Sequence, residues 1–310
     1  MKLRNQEIIV DLLRKKIKMR IDELYKKKNF LITAEITPPK GPDPTKVLEK
    51  AKLLNGYVDA INITDNQRSM VRLGSLALSY LIKEKLNIPT IYQLTCRDRN
   101  RIALQSDLLS AAMLGINNVL CLTGDNPIVG DHPEAKPVFD LDGIQLIQVV
   151  KKLNSGFDMN EHKLNKNTDF CIGAAINPSM IPIDNQVIPF VKKVKAGVYF
   201  FQTQAIFEPI KLNNFLNEIK IYLPEKKYKI IAGVLLIKSK KMLDIILKIP
   251  GVYVPENIIK RFENSTNELE TGINICVDII NELKLYADGI HIMAINSEDA
   301  IPKIIEKLTL

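Results

Sequence analysis

Eight short runs rich in β-branched and aromatic residues recur along the 310-residue chain. They are FLITAEI (30–36), VDAINI (58–63), TIYQLT (90–95), NVLCLT (118–123), FCIGAAI (170–176), VYFFQT (198–203), KIIAGVLL (229–236) and GIHIMAI (289–295). Most are continuously apolar rather than alternating, as expected of strands buried on both faces of a parallel sheet. Parallel neighbours need crossover connections, and the segments between the runs carry helical spacing. Examples are PTKVLEKAKLLN, SMVRLGSLALSYLIKEKL, NRIALQSDLLSAAMLG, GIQLIQVVKKL and KSKKMLDIILKI. Two helices, over 256–263 and 267–285, precede the eighth run, and one over 298–308 follows it. Eight strand–helix alternations predict an α/β chain folded as a single (β/α)8 TIM-type barrel. A doubly wound sheet is the rival, but no GxGxxG follows the first strand. The longest irregular stretch, residues 153–169, reads as an exposed insertion.

Ahead of the barrel, Ile8, Ile9, Leu12, Leu13, Ile17, Ile21 and Leu24 fall at helical spacing. The chain therefore divides into an N-terminal amphipathic helix over 1–29 and a barrel over 30–310. The richest basic cluster, RKKIKMRIDELYKKK (14–28), lies on that helix as a solvated face, a docking surface for a partner subunit or, third, a contact for an anionic membrane surface. A net charge of +8 invites a nucleic-acid reading, but the lysines are scattered beside glutamates and the basic cluster lacks interleaved aromatics. No nucleic-acid partner is expected. No run approaches the roughly 18 apolar residues of a membrane span. The charged N-terminus lacks a signal-peptide centre, so a cytoplasmic location is expected. Cys96, Cys121, Cys171 and Cys276 stand far apart without a CxxC pair, which predicts free, buried thiols. No HxH, HExxH or HxxE spacing suggests a metal.

In such a barrel the active site lies where the strands end. The strand ends supply Glu35 on the first strand, Thr64, Asp65 and Asn66 on the second, and Gln93 and Thr95 on the third. The fourth supplies Thr123, Gly124 and Asp125, the fifth Asn177, the sixth Gln202 and Gln204, and the eighth Asn296. Polar groups from nearly every strand converge on one rim, as a small-molecule pocket requires. The rim has no Ser or Cys with a His and carboxylate in a triad arrangement. His132 and His162 fall in loops, and His291, inside the eighth strand, reads as a core residue. What remains is amide-rich recognition with two carboxylates, Glu35 and Asp125. Amides present a donor and an acceptor together, suited to a planar heteroaromatic ring. Carboxylates deliver a proton or set negative charge against a cofactor that supplies the electron chemistry.

The segments TAEITPPKG, VDAINITDNQ, YQLTCRDRNRIALQSDLLSAAMLGI, NVLCLTGD, GDHPEAKPVFDLD, AGVYFFQTQAIFE and GIHIMAIN resemble, in this order, the methylenetetrahydrofolate reductase family. The resemblance covers residues 30 to 310 and is nearest to the short, acetogen-type branch. It implies a flavoenzyme reducing 5,10-methylenetetrahydrofolate to 5-methyltetrahydrofolate in one-carbon metabolism, on the route to methionine or acetyl-CoA. By motif position, Glu35 matches the general acid that protonates N10. Asp125 matches the aspartate beside flavin and pterin, and Gln204 the glutamine on the pterin. Thr64, Ala175 and Lys193 match flavin contacts, and Asn296 falls in the strand-end motif expected to touch substrate. Gln93 stands where the family often has His, Thr123 where an arginine commonly precedes Gly-Asp, and Ile176 where an aromatic residue stacks. Ala34 and Ile36 replace aromatic neighbours of the acid. The departures at Gln93, Thr123 and Ile176 lie around the flavin, so FAD is the family default and FMN the alternative. NADH, NADPH or a partner delivering electrons can serve as donor. The implied assemblies are a homo-oligomer or a pairing with a zinc-bearing companion subunit. The rivals are a folate- or corrinoid-binding methyltransferase barrel, which needs a similar pterin pocket, and a scaffold subunit of a reductase complex.

Overall fold

The computed structural model describes residues 20–249 and 252–308. A short helix α1 (Ile21–Tyr25) leads into eight parallel strands that close into one barrel in chain order. The strands are β1 (Leu31–Ile36), β2 (Ala60–Ile63), β3 (Thr90–Thr95), β4 (Asn118–Leu122), β5 (Cys171–Ile176), β6 (Phe200–Ala205), β7 (Lys229–Leu235) and β8 (Gly289–Met293). Between them run α2 (Thr45–Leu53), α3 (Ser75–Leu86), α4 (Arg101–Met113), α5 (Gly143–Asn154), α6 (Asp184–Ala196), α7 (Pro209–Tyr222) and α8 (Lys240–Leu247). Helices α9 (Glu256–Glu263) and α10 (Glu268–Leu283) precede β8, and α11 (Ile301–Glu306) follows it. All eight expected strands form, and the expected barrel is the one observed. The seam pairs β1 with β8, from Leu31 opposite Gly289 to Ala34 opposite Ile292.

Several boundaries follow from local chemistry. Helix α5 starts at a reciprocal cap in which Asp142 accepts from Gln145 N–H and the Gln145 side chain accepts from Asp142 N–H. Asn100 caps α4 by accepting from Ile102 and Ala103 N–H. Strand β6 runs two residues further than its apolar run predicts. A register shift falls between Gln202 and Ala205, and Gly233 N–H donates to the Thr203 hydroxyl there (2.8 Å). The long irregular stretch begins where α5 ends, and its one short antiparallel bridge pairs Phe157 with Lys163.

Alternation along each strand separates two cores. Ile32, Ala34, Tyr92, Leu94, Val119 and Phe201 belong to the core shared with the surrounding helices. Leu31, Ala60, Ile91, Leu120, Cys171, Phe200 and Ile231 form a separate cluster inside the barrel, joined by fully buried Ile21 of α1. Ile21 N–H donates to Asn118 Oδ1 (2.8 Å), anchoring α1 across the N-terminal opening. Of the segment 1–29 expected as one helix, residues 1–19 lie outside the described residues, and among the rest only Ile21–Tyr25 is helical. Above the apolar plug the interior turns polar. Gln93 Nε2 donates to Asn62 Oδ1 (2.9 Å), and Asn62 Nδ2 donates to Gln202 Oε1. A buried amide left unpaired would be costly, so each completes another across three strands. All four cysteines are free and buried, as expected. Among the described residues no helix is long and apolar enough to cross a membrane.

Phe200 fills the barrel interior because β5 places Gly173 against it. A Cβ at residue 173 would lie 2.3 Å from the Phe200 ring. Gly173→Ala is therefore expected to destabilise the barrel by about 1–3 kcal/mol through overpacking, read as a lower urea midpoint with an unchanged slope.

Candidate active site

Glu35 is the last but one residue of β1. Alternation turns it inward from the same face as Leu31 and Thr33, but at the C-terminal end of the barrel. It retains only 9% of its exposure. Beyond Thr37, Pro38 and Pro39 cannot donate to a ladder, so the strand goes no further above the acid. One carboxylate oxygen, Oε1, accepts from Gln67 Nε2 (3.1 Å). The other, Oε2, stands 3.7 Å from Nε2 of His291 on β8. Gln67 is itself oriented, because Thr37 donates to its Oε1 (3.2 Å). The acid therefore meets a fixed amide donor and an imidazole.

Gln67 rides on an unusual loop after β2. Asn66, Arg68 and Ser69 all adopt positive φ (44°, 56° and 57°), a region that residues with side chains rarely occupy. The loop is held from outside. Arg97, 2% exposed, donates to Ser69 Oγ (3.1 Å) and to the Asn66 carbonyl (3.3 Å). Ser69 Oγ in turn donates to the carbonyls of Asp125 (3.0 Å) and Asn126 (3.1 Å). One braced loop thus connects the surroundings of Glu35 to the segment carrying Asp125. Nearby, Asp65 accepts from Thr95 N–H (3.0 Å), from the Thr95 hydroxyl (2.8 Å) and from Arg99 (2.8 Å), which ties the ends of β2 and β3 together.

The other expected site residues occupy distinct settings. Asp125 is exposed on the loop after β4. That loop turns at Gly124 (φ 96°), where a Cβ would lie 3.0 Å from Arg97 Cβ, so only glycine suits the turn. Thr123 is exposed, and its Oγ1 accepts from Gly143 N–H (3.1 Å) at the start of α5. Gln93 lies lower, in the interior amide chain, with its N–H committed to Asn62. Gln204 is exposed at the bulged end of β6, and Asn296 is exposed in a left-handed conformation (φ 53°) after β8. The Asn296 carbonyl accepts from Lys238 (3.1 Å). Lys193 comes from α6 rather than a strand end, yet its ammonium reaches back to donate to the Ala175 carbonyl (2.7 Å). Thr64 is 1% exposed, and its hydroxyl has no hydrogen-bond partner.

These features suit a flat heteroaromatic cofactor. Ala175 presents only a methyl group at the end of β5, and the orphaned Thr64 hydroxyl is a polar group left over for a bound ring. Gln67, Thr33 and His291 were not singled out by the strand-end reading. Gln67 stands within the TDNQ motif but two residues beyond Asp65, where only the loop's backbone brings it to Glu35.

Burial holds the Lys193 ammonium below the usual lysine value of 10.5. The unfolded chain therefore keeps a proton that the folded chain has begun to lose, so stability rises with pH through the window below 10.5. Denaturation of wild type and Lys193→Met from neutral pH upward is expected to show wild type gaining relative to the variant. A difference that stays flat would contradict this.

A family model described as Methylenetetrahydrofolate reductase matches residues 20–309. Methylenetetrahydrofolate reductase 2 of Schizosaccharomyces pombe is 26% identical over 253 residues, which is 75% of this chain and 37% of that protein. The chain thus spans little more than a third of that relative's length. The 5,10-methylenetetrahydrofolate reductase of Pectobacterium carotovorum subsp. carotovorum is 22% identical over 262 residues, 81% of this chain and 80% of its own. Among solved structures, a Clostridium thermocellum protein that binds two copies of 5-methyl-5,6,7,8-tetrahydrofolic acid shares the fold. Its TM-score is 0.61 at 17% identity, over 92% of this chain and 95% of that one. The EDTA monooxygenase EmoA of Chelativorans sp. BNC1 shares it more distantly, with a TM-score of 0.54 at 12% identity, over 90% of this chain and 93% of that one. The match to the family model extends over nearly all of the described residues, and the chain belongs to the methylenetetrahydrofolate reductase family.

Proposed function

We propose that this protein reduces 5,10-methylenetetrahydrofolate to 5-methyltetrahydrofolate with the help of a bound flavin. The observation that carries the reading is Glu35. It is a nearly buried carboxylic acid at the inner rim of the barrel, with one oxygen on a fixed amide donor and the other facing an imidazole. Opening the five-membered ring of the substrate requires a proton on N10, and an acid held away from water is suited to deliver it. Glu35 is that acid in this reading, and Gln67 fixes the plane of its carboxyl. Asp125, exposed across the rim, sets negative charge beside the cationic iminium that ring opening creates. Gln204 and Asn296 supply the amides for the pterin edge. Thr64, Ala175 and Lys193 line the flavin side, and Thr123 and Gln93 support it through their bonds to α5 and Asn62. A flavin, FAD or FMN, held beside Thr64, Ala175 and Lys193 would supply the hydride, with NADH or NADPH as the expected source of its electrons. A role in one-carbon metabolism follows from the same reading.

The test separates two half-reactions. Purified protein is expected to carry yellow flavin, bleached anaerobically by NADH or NADPH and restored by methylenetetrahydrofolate. Failure of the folate to restore it would overturn the assignment, and absence of flavin would favour a methyltransferase barrel. Glu35→Gln is expected to slow the folate half-reaction by about 100-fold or more while donor bleaching persists. Loss of both together would make Glu35 a structural or flavin-binding residue.

A further inference from the structure

At the end of the barrel opposite Glu35, where β7 begins, a cleft of about 280 Å³ opens between the end of α7 and the turn from α10 into β8. That volume is close to the lower limit for a small-ligand pocket. Leu216 and Leu223 supply one wall from α7 and the residue that follows it. Leu285 stands on the other side at 75% exposure. A ligand with an apolar body would take that aliphatic surface out of water.

Tyr228, the residue before β7, is only 5% exposed and yet lines the cleft. Its ring stands edge-on to Phe190 of α6 (centroids 4.9 Å apart, 82°) and to Phe201 of β6 (5.9 Å, 87°). Those contacts hold the ring in place. Among the described residues its hydroxyl has no hydrogen-bond partner. A buried tyrosine ordinarily pairs its hydroxyl, so this one is a donor left over for a ligand. Burial pushes the phenol up to about 12, so the proton stays on it at neutral pH.

The charged groups that line the cleft are Lys220 and Lys226, with no Asp or Glu among them. Lys226 pairs with Asp288 (2.7 Å), but the same carboxylate also holds Lys229 (3.2 Å) and accepts from Ile230 N–H (2.8 Å). Glu225 is taken by Lys227 (2.8 Å). Lys220 donates only to the neutral Asn217 amide (3.3 Å). Asp288 thus stands against the ammoniums of Lys220, Lys226 and Lys229, which leaves the cleft positive and favours an anion.

We propose that this cleft is a second ligand site, which takes a small amphipathic carboxylate. The ring or short alkyl body of the ligand lies against Leu216, Leu223 and Leu285. Its carboxylate accepts from the Tyr228 hydroxyl and pairs with Lys220. An ionised carboxylate is acceptor-only, so it satisfies a hydroxyl and an ammonium together. A neutral amide leaves the ammonium unpaired, and a cationic head meets like charge. The site goes beyond the reductase reading and does not depend on it, because it shares no residue with the rim that carries Glu35 and Asp125.

The test uses the full-length protein as purified, with phenylacetate as the probe and phenylacetamide and phenethylamine as its neutral and cationic counterparts. Titration calorimetry is expected to show saturable binding of phenylacetate at a single site. Phenylacetamide should bind about tenfold more weakly or worse, and phenethylamine not at all. Tyr228→Phe keeps the ring against Phe190 and Phe201 and removes a hydroxyl with no partner in the protein, so the fold should be retained. Its affinity for phenylacetate is expected to fall about tenfold. Lys220→Gln, at an exposed position, should weaken binding as well. Affinity unchanged in both variants would put the probe elsewhere on the protein and overturn the proposal. Equal binding of the three probes, or no saturable binding of phenylacetate, would overturn it too.

Discussion

The pairing of β1 with β8 is the constraint on which the site depends. Glu35 lies on the first strand and His291 on the last, and only closure of the sheet makes those strands neighbours. The seam sets Thr33 opposite His291, so alternation places Glu35 one inward step above the ring. A barrel is also the arrangement that removes sheet edges, so closure completes the hydrogen bonding of all eight strands and shuts the interior from water at once. A carboxyl, an imidazole and three amides are buried there because each strand delivers its own group to a shared interior. The apolar plug of Leu31, Ile91, Phe200 and Ile231, sealed by Ile21, separates that interior from the N-terminal opening.

The polar interior is organised by completion rather than by charge. Asn62 links Gln93 to Gln202, so three side chains satisfy one another without an ion in the barrel's middle. Charge is kept at the rim, where it braces loops. Arg99 locks Asp65 onto Thr95, and Arg97 holds Ser69, which holds the Asp125 loop. These braces maintain three left-handed residues around Gln67 and so keep an amide donor on Glu35. Such backbone strain persists where surrounding contacts over-determine it, as they do here.

Much of this was legible in the chain. Continuous apolar runs separated by helical segments identified the strands, because burial on both faces leaves little room for polar residues. An acid near the end of the first run, followed by two prolines, marked Glu35 as a rim residue. The bulge in β6 was not legible, since it depends on Gly233 N–H meeting the Thr203 hydroxyl across the sheet. His291 read as core, and it is buried, but its neighbour lies 256 residues away and no local pattern names it. Gln67 was hidden for a related reason, because its reach to Glu35 follows from positive φ angles at residues with no glycine to announce them.

The sequence by itself determined the number and order of strands, the inward face of each and the presence of an acid at the rim. Those properties follow from hydrophobic periodicity and proline chemistry, which act over a few residues. Only the tertiary structure decided which side chains meet: Glu35 with Gln67 and His291, Ser69 with the Asp125 loop, and Lys193 with Ala175. Those contacts depend on barrel closure and loop backbone angles, which are set by the whole chain at once and leave no mark on any single stretch of it.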